Sequence, residues 1–151
     1  MSERAFFARR IDAIADIFAF MDSAFARLRA PDALRTEVDF VLEELFTNIV
    51  KYGRGEAPVT IDIVPIPDGV EVTVTEADAD RFDVTRAPAV DVTLPAERRQ
   101  PGGLGLHLVG RLADSVQYGY SEGERCSRIV FRKTSADPPP GATAASEDER
   151  C

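Results

Sequence analysis

Glu44-Leu45-Phe46-Thr47-Asn48-Ile49-Val50-Lys51-Tyr52-Gly53 places a carboxylate and a carboxamide four residues apart inside an apolar run. On a helix, positions i and i+4 lie one above the other, so Glu44 and Asn48 share a face and Lys51 and Tyr52 follow one turn later. The surrounding Val38, Val41, Leu42, Leu45, Ile49 and Val50 supply the apolar contacts that hold such a helix against a sheet. A polar stripe on a buried helix needs partners, because an unsatisfied buried amide or carboxylate costs roughly 1 to 3 kcal/mol. One reading gives the stripe a hydrated Mg²⁺, with the Asn48 oxygen as a hard ligand and Glu44 free to orient water or accept a proton. The other makes this an ordinary amphipathic helix with Glu44 exposed and paired to a basic residue.

A second segment, Gly102-Gly103-Leu104-Gly105-Leu106-His107-Leu108, opens a helical pattern directly from a glycine cluster. Glycines let the backbone approach a ligand closely, and the following helix start presents unpaired N–H groups and a positive dipole end, which suits phosphate oxygens. The run is neither Gly-x-Gly-x-x-Gly after a strand nor a Gly-Lys-[Ser/Thr] loop, so the dinucleotide and P-loop classes are not indicated.

Working outward, Ile11, Ile14, Ala15, Ile17, Phe18, Met21, Phe25 and Leu28 recur at helical spacing, which predicts a helix over 8–29 ending before Pro31. The helix carrying Glu44 runs over 32–52 and exits through Gly53-Arg54-Gly55. Val59, Ile61 and Ile63, then Val70, Val72 and Val74, alternate with polar residues and predict a hairpin. Its turn is Pro67-Asp68-Gly69, with proline presetting φ and glycine taking the strained position. Residues 84–101 hold three prolines and no sustained period, as expected of a functional lid. A third helix is predicted over Leu104 to Ala113, and a closing hairpin from Ser115–Tyr120 and Arg128–Arg132 around Glu122-Gly123. Residues 1–133 are read as a single domain, and 134–151 as a disordered tail of prolines, small residues and charges.

Composition narrows the class. At 151 residues and 44% hydrophobic, the chain is long enough for one core and too short for two ordinary domains. A net charge of −8 leaves no basic surplus for neutralising phosphates, so no direct nucleic-acid partner is expected. The two cysteines, Cys126 and Cys151, have no metal-ligand or CxxC spacing. With no apolar stretch approaching 18 residues and no signal-peptide core, the sequence predicts a soluble, cytoplasmic protein with no membrane partner.

Taken together, a helix with Glu-x-x-x-Asn, two strands, a long irregular stretch and Gly-Gly-Leu-Gly-Leu opening a helix resemble the GHKL ATPase superfamily of histidine kinases, gyrase and MutL. The wording Glu-Glu-Leu-Phe-Thr-Asn-Ile-Val-Lys-Tyr-Gly and the short length look like its anti-sigma-factor serine kinases of the RsbW and SpoIIAB type. The resemblance spans roughly Ile11 to Lys133. It implies an α/β two-layer sandwich of the Bergerat type, a mixed, mostly antiparallel sheet with helices on one face. It also implies ATP and Mg²⁺ as cofactors, with Asn48 holding the metal and Glu44 the general base. Lys51, Gly102, Gly103, Leu104, Gly105 and Leu106 would line the nucleotide, under a lid that closes over the phosphates. The implied function is a serine-protein kinase that phosphorylates a STAS-type antagonist and binds a sigma factor, as a homodimer.

One box departs from the family. The family places Asp-x-Gly, whose Asp accepts the adenine amino group, shortly before Phe-Asp, whereas this chain reads Thr75-Glu76-Ala77-Asp78-Ala79-Asp80-Arg81-Phe82-Asp83. Alignment on Phe82-Asp83 puts Ala77 and Ala79 at the Asp and Gly positions, and leaves Asp78 as the adenine reader only if the loop shifts by one residue. A rival reading follows, in which the chain is a non-catalytic, nucleotide-independent binding module with a decayed pocket. His107, the only histidine, either contacts phosphate or packs on a helix flank. Arg98 and Arg99 either stabilise a transferring phosphoryl group or are solvated lid charges. Phe6, Phe7, Phe18, Phe20 and Phe25 read as core with an outer edge available to a partner.

Overall fold

The computed structural model describes residues 1–53, 55–81 and 103–135, with backbone only at 103 and 104. The chain runs β1 (Glu3–Phe7), α1 (Ile14–Leu28), α2 (Arg35–Tyr52), β2 (Val59–Ile66), β3 (Gly69–Glu76), α3 (Gly103–Leu112), β4 (Ser115–Ser121) and β5 (Cys126–Thr134). The strands form one five-stranded sheet in the order β1-β2-β3-β5-β4, and every pairing among the described residues is antiparallel. β3 and β4 run in the same direction with β5 between them, so the mostly antiparallel sheet expected from the sequence is antiparallel at each described pairing. The two-layer α/β architecture holds.

Strand alternation decides which face the helices cover. Val59, Ile61 and Ile63 of β2, Val70, Val72 and Val74 of β3, and Ile129 and Phe131 of β5 point to the same side and are buried. Arg4, Asp62, Glu71 and Arg132 face the other, open side, where Arg132 pairs with Glu71 at 2.6 Å. Ile17, Met21, Phe25 and Leu28 of α1, and Val38, Val41, Leu42, Leu45, Phe46 and Ile49 of α2, complete the core at helical spacing. Helix α2 packs against both α1 and α3. Arg35 ties α1 to α2: its guanidinium donates to Asp39 at 2.8 Å, Asp22 at 3.0 Å and the Phe18 carbonyl at 2.7 Å, and lies 5.6 Å from the Phe25 ring centroid.

Four boundaries differ from the sequence expectation. Regular helix begins at Ile14 after a 3₁₀ turn over Ile11–Ala13, because residues 8–10 bend so that the Arg9 side chain enters the interior. Strand β1 lies on an edge and was not anticipated; Phe7 is core, whereas Phe6 is 67% exposed on the open face. In the β2–β3 turn Asp68, not Gly69, adopts the left-handed backbone (φ 60), while Gly69 already pairs in β3 and its bare Cα faces Lys133 and Thr134. Thr134 belongs to β5, held by bonds from its N–H and hydroxyl to Asp114 at 2.7 and 2.8 Å, so the expected tail does not begin there. The lid over 84–101, with Arg98 and Arg99, and residues 136–151 lie outside the described residues. No helix among the described residues is long and apolar enough to cross a membrane.

Candidate functional site

Where α2 leaves the sheet, Leu45, Asn48, Ile49, Tyr52 and Gly53 form one wall of a pocket whose other walls are Glu76, Asp80, Arg81, Ser127 and Ile129. Its volume is about 210 Å³. That is below the roughly 300 to 1,000 Å³ common for drug-sized ligands and suits a single ring system.

Asn48 reaches the pocket because it occupies the buried stripe of α2, one turn after Leu45 and beside Ile49. Its amide nitrogen donates to the Glu44 carbonyl at 2.7 Å, which turns the amide oxygen away from the helix backbone and leaves it for a ligand. Glu44, one turn earlier, is half-buried and pairs with no cation among the described residues. Burial pushes its carboxyl above the ordinary range, the charge of Glu43 adds to the effect, and Lys51 partly opposes it. Glu44 is thus half-buried rather than exposed, and its ion-paired alternative finds no partner among the described residues.

The two sequence motifs meet at Gly105. A Cβ there would fall 2.6 Å from the Glu44 carboxyl carbon and closer still to one of its oxygens, so the absent side chain is what lets the first turn of α3 pack on that carboxylate. A carboxylate at the positive end of a helix is electrostatically favoured. Leu106 is partly buried against the core and Val109 fully so, which fixes α3 beside α2. Gly103 begins α3, Leu104 follows within it, and Gly102 lies outside the described residues. His107 is exposed, and Lys51 is exposed without lining the pocket.

The acidic box differs most from expectation. Asp78 does not line the pocket; its side chain is 60% exposed and lies 3.5 Å from Arg125. Glu76 does line it, 7% exposed at the end of β3, and sequence reasoning missed it. The signal was present: alternation through Val70, Val72 and Val74 puts Glu76 next on the core-facing row. Asp78, two residues on, has φ 51, a conformation glycine prefers. An acid followed at i+2 by a left-handed residue therefore falls at Glu76 and Asp78, and Ala79 is wholly buried. Ala79 is pinned between strands by its N–H to the Arg125 carbonyl (2.7 Å) and by its own carbonyl accepting from the Tyr120 hydroxyl (2.8 Å).

The residues fit a hydrated divalent cation and a nucleotide base. An amide oxygen on a residue that lines the pocket suits Mg²⁺, which binds through one or two protein oxygens plus phosphates and waters. Among the described residues no cluster of three or more His, Cys, Asp or Glu offers an all-protein metal cage. Glu76 is a buried carboxylate in the pocket wall, an acceptor of the kind that a base amino group requires.

Residues 7–133 match the family described as histidine kinase-like ATPase domain. Serine-protein kinase RsbW of Listeria monocytogenes serovar 1/2a is 33% identical over 94 residues, an alignment covering 58% of this chain and 59% of the relative, so the chain matches little more than half of that protein's length. The RsbW of serotype 4a is 32% identical over the same span. Among solved structures, the RsbU and RsbW domains of a Mycobacterium tuberculosis protein superpose with TM-score 0.61 at 12% identity, over 89% of this chain and 32% of that one. A SiaB–SiaC complex from Pseudomonas aeruginosa gives 0.53 at 16% identity, over 86% and 88%. Those two likenesses concern the fold. Because the family match runs from the end of β1 almost to the end of β5 and takes in every residue of the pocket, the chain belongs to the histidine kinase-like ATPase domain family, a GHKL-superfamily domain related to the RsbW anti-sigma factor kinases.

Proposed function

We propose that this protein is an ATP-dependent serine-protein kinase whose substrate is a small STAS-type antagonist, and that it acts as an anti-sigma regulator by partner switching. The observation that carries the reading is the contact between the Glu44 carboxylate and Gly105 at the start of α3, one helical turn from Asn48 in the pocket. This sets a base candidate against a candidate phosphate-binding helix start, one helical turn from a metal-ligand candidate that lines the pocket. The kinase named among the relatives supports the choice of reaction.

In this reading the base sits between α2 and β5 with Glu76 accepting its amino group, a role we assign to Glu76 in place of Asp78. The phosphates extend toward the first turn of α3, over Gly103 and Gly105. Asn48 would hold Mg²⁺, which supplies positive charge to the phosphate oxygens when bound. Glu44 accepts the proton of the substrate serine hydroxyl. As that proton leaves, the serine oxygen forms its bond to the terminal phosphorus and the bond to the bridging oxygen breaks, releasing ADP. The raised Glu44 carboxyl suits this role, because a base nearer neutrality both takes and returns a proton readily. Phosphorylation of the antagonist weakens its hold and frees this protein, as a homodimer, for its sigma factor.

The test is Glu44→Gln with purified serine-bearing antagonist candidates. Nucleotide binding should persist while transfer falls by roughly 10²-fold or more. Equal transfer rates in mutant and wild type would remove Glu44 from the mechanism. Partner capture that is indifferent to ATP, with no transfer by either form, would favour the nucleotide-independent binding module instead.

A further inference from the structure

Arg9 lies between β1 and α1, far in sequence from the pocket, yet its side chain is only 6% exposed. Its guanidinium donates to the Ala57 carbonyl at 2.7 Å, to Glu76 Oε1 at 2.8 Å and to the Ala77 carbonyl. Three donors are thus committed to the segment just before β2, the end of β3 and the residue after it. The chain keeps space for this group at both glycines leaving α2. A Cβ at Gly53 would lie 2.7 Å from Glu76 Oε1, and one at Gly55 2.9 Å from each terminal nitrogen of Arg9. The other Glu76 oxygen, Oε2, accepts from the Ser127 hydroxyl at 3.3 Å. With one bond on each oxygen the carboxylate is clamped in orientation, and since a carboxylate oxygen has two lone pairs it retains acceptor capacity toward the pocket that Glu76 and Ser127 line.

We propose that Arg9 is a positioning residue for ligand selection: by pairing with Glu76 it keeps that carboxylate an acceptor only, so that the pocket takes purines bearing a 6-amino group and rejects those bearing a 6-oxo group. The inference rests on the nucleotide reading of the site. An ionised carboxylate accepts from an amino group and repels a carbonyl oxygen, whereas a protonated one can donate to that carbonyl. Which form Glu76 holds is a contest. Burial prevails and leaves its carboxyl above the ordinary range, Arg9 and then the Ser127 hydroxyl pull it back down, and Asp80 adds a smaller upward push. Tyr52 from α2 and Arg81 beyond β3 share the same pocket. Without Arg9 the strongest opposing influence disappears and the neutral form gains.

The experiment is calorimetric titration with Mg·ATP and Mg·ITP between about pH 5.5 and 8 on wild type, Arg9→Met, Arg9→Lys and Glu76→Gln. Wild type should prefer ATP by roughly tenfold or more at every pH. In Arg9→Met the ratio should collapse toward one at the acid end and recover as pH rises. Arg9→Lys, which keeps the charge, should retain most of the preference. Glu76→Gln, whose amide both donates and accepts, should lose the preference at all pH values, and if Arg9→Met does not fold, Arg9→Gln, which keeps a hydrogen-bonding side chain without the charge, should show the same loss at the acid end. A wild-type ATP:ITP ratio preserved in Arg9→Met across the range, or preserved in Glu76→Gln, would overturn the assignment and leave Arg9 as a staple of the fold. No binding of either nucleotide by wild type would instead refute the nucleotide reading on which the inference stands.

Discussion

Gly105→Ala separates the two things that Gly105 does. As a helix residue, glycine is worse than alanine by about 1 kcal/mol in a helix interior, so on propensity alone the change stabilises α3. Against this, the new Cβ would fall 2.6 Å from the Glu44 carboxyl carbon, and ordinary contact begins near 3.4 Å. The carboxylate must therefore retreat by about 0.8 Å, its nearer oxygen by more, to relieve the overlap. The obstructing atoms are the end of a half-buried side chain rather than backbone, so the retreat is a rotamer change and not a shift of α3. The melting temperature should change by no more than about 2 to 4 °C, the shift that 1 kcal/mol produces in a chain of this size. Transfer should fall much further, since misplacing a catalytic group by about 1 Å costs on the order of 10²-fold. Thermal unfolding monitored by circular dichroism, with phosphotransfer from ATP to the antagonist, measures both. A large loss of stability with transfer intact would mean that α3 moved and Glu44 did not, and would refute the argument that Gly105 exists to seat this carboxylate.

Because the Glu44 carboxyl is raised above its unfolded value, its favourable contribution is present below the ordinary glutamate range and is lost as pH rises through the folded value. Glu44→Gln should therefore be more stable than wild type at neutral pH, with the difference shrinking as the pH falls into the ordinary glutamate range; denaturant unfolding at both ends of that interval checks the sign. Arg35→Ala removes bonds to Asp39, Asp22 and the Phe18 carbonyl and leaves Asp39, one of whose oxygens is already buried without a partner, facing a low-dielectric seam. It should cost about 1 to 3 kcal/mol in urea unfolding, and Asp39→Asn on that background should recover part of the loss.

Much of the fold was legible because its elements are strongly periodic. Helix α2 ends at Tyr52 as expected, and both hairpins lie where alternation and turn residues put them. Strand β1 was not legible: five residues with Phe6 on the open face do not alternate cleanly, and only pairing with β2 makes them a strand. In the candidate site, local spacing already put Glu44 and Asn48 on one helix face, and the contact of Glu44 with Gly105 required only that α3 lie beside α2. Glu76 was hidden by an alignment anchored on Phe82-Asp83, although β3 alternation already pointed to it. Arg9 could not be read at all, because its partners, Ala57, Glu76 and Ala77, become neighbours only when β1, β2 and β3 are assembled.

The most direct test of the central claim is calorimetric titration of the protein with ATP in the presence and absence of Mg²⁺, repeated on Asn48→Ala. Wild type should show one-site binding strengthened by Mg²⁺, and the variant should bind more than about tenfold more weakly with the Mg²⁺ dependence gone. Absence of binding by wild type, or an Asn48→Ala variant that binds ATP with undiminished Mg²⁺ dependence, would contradict it.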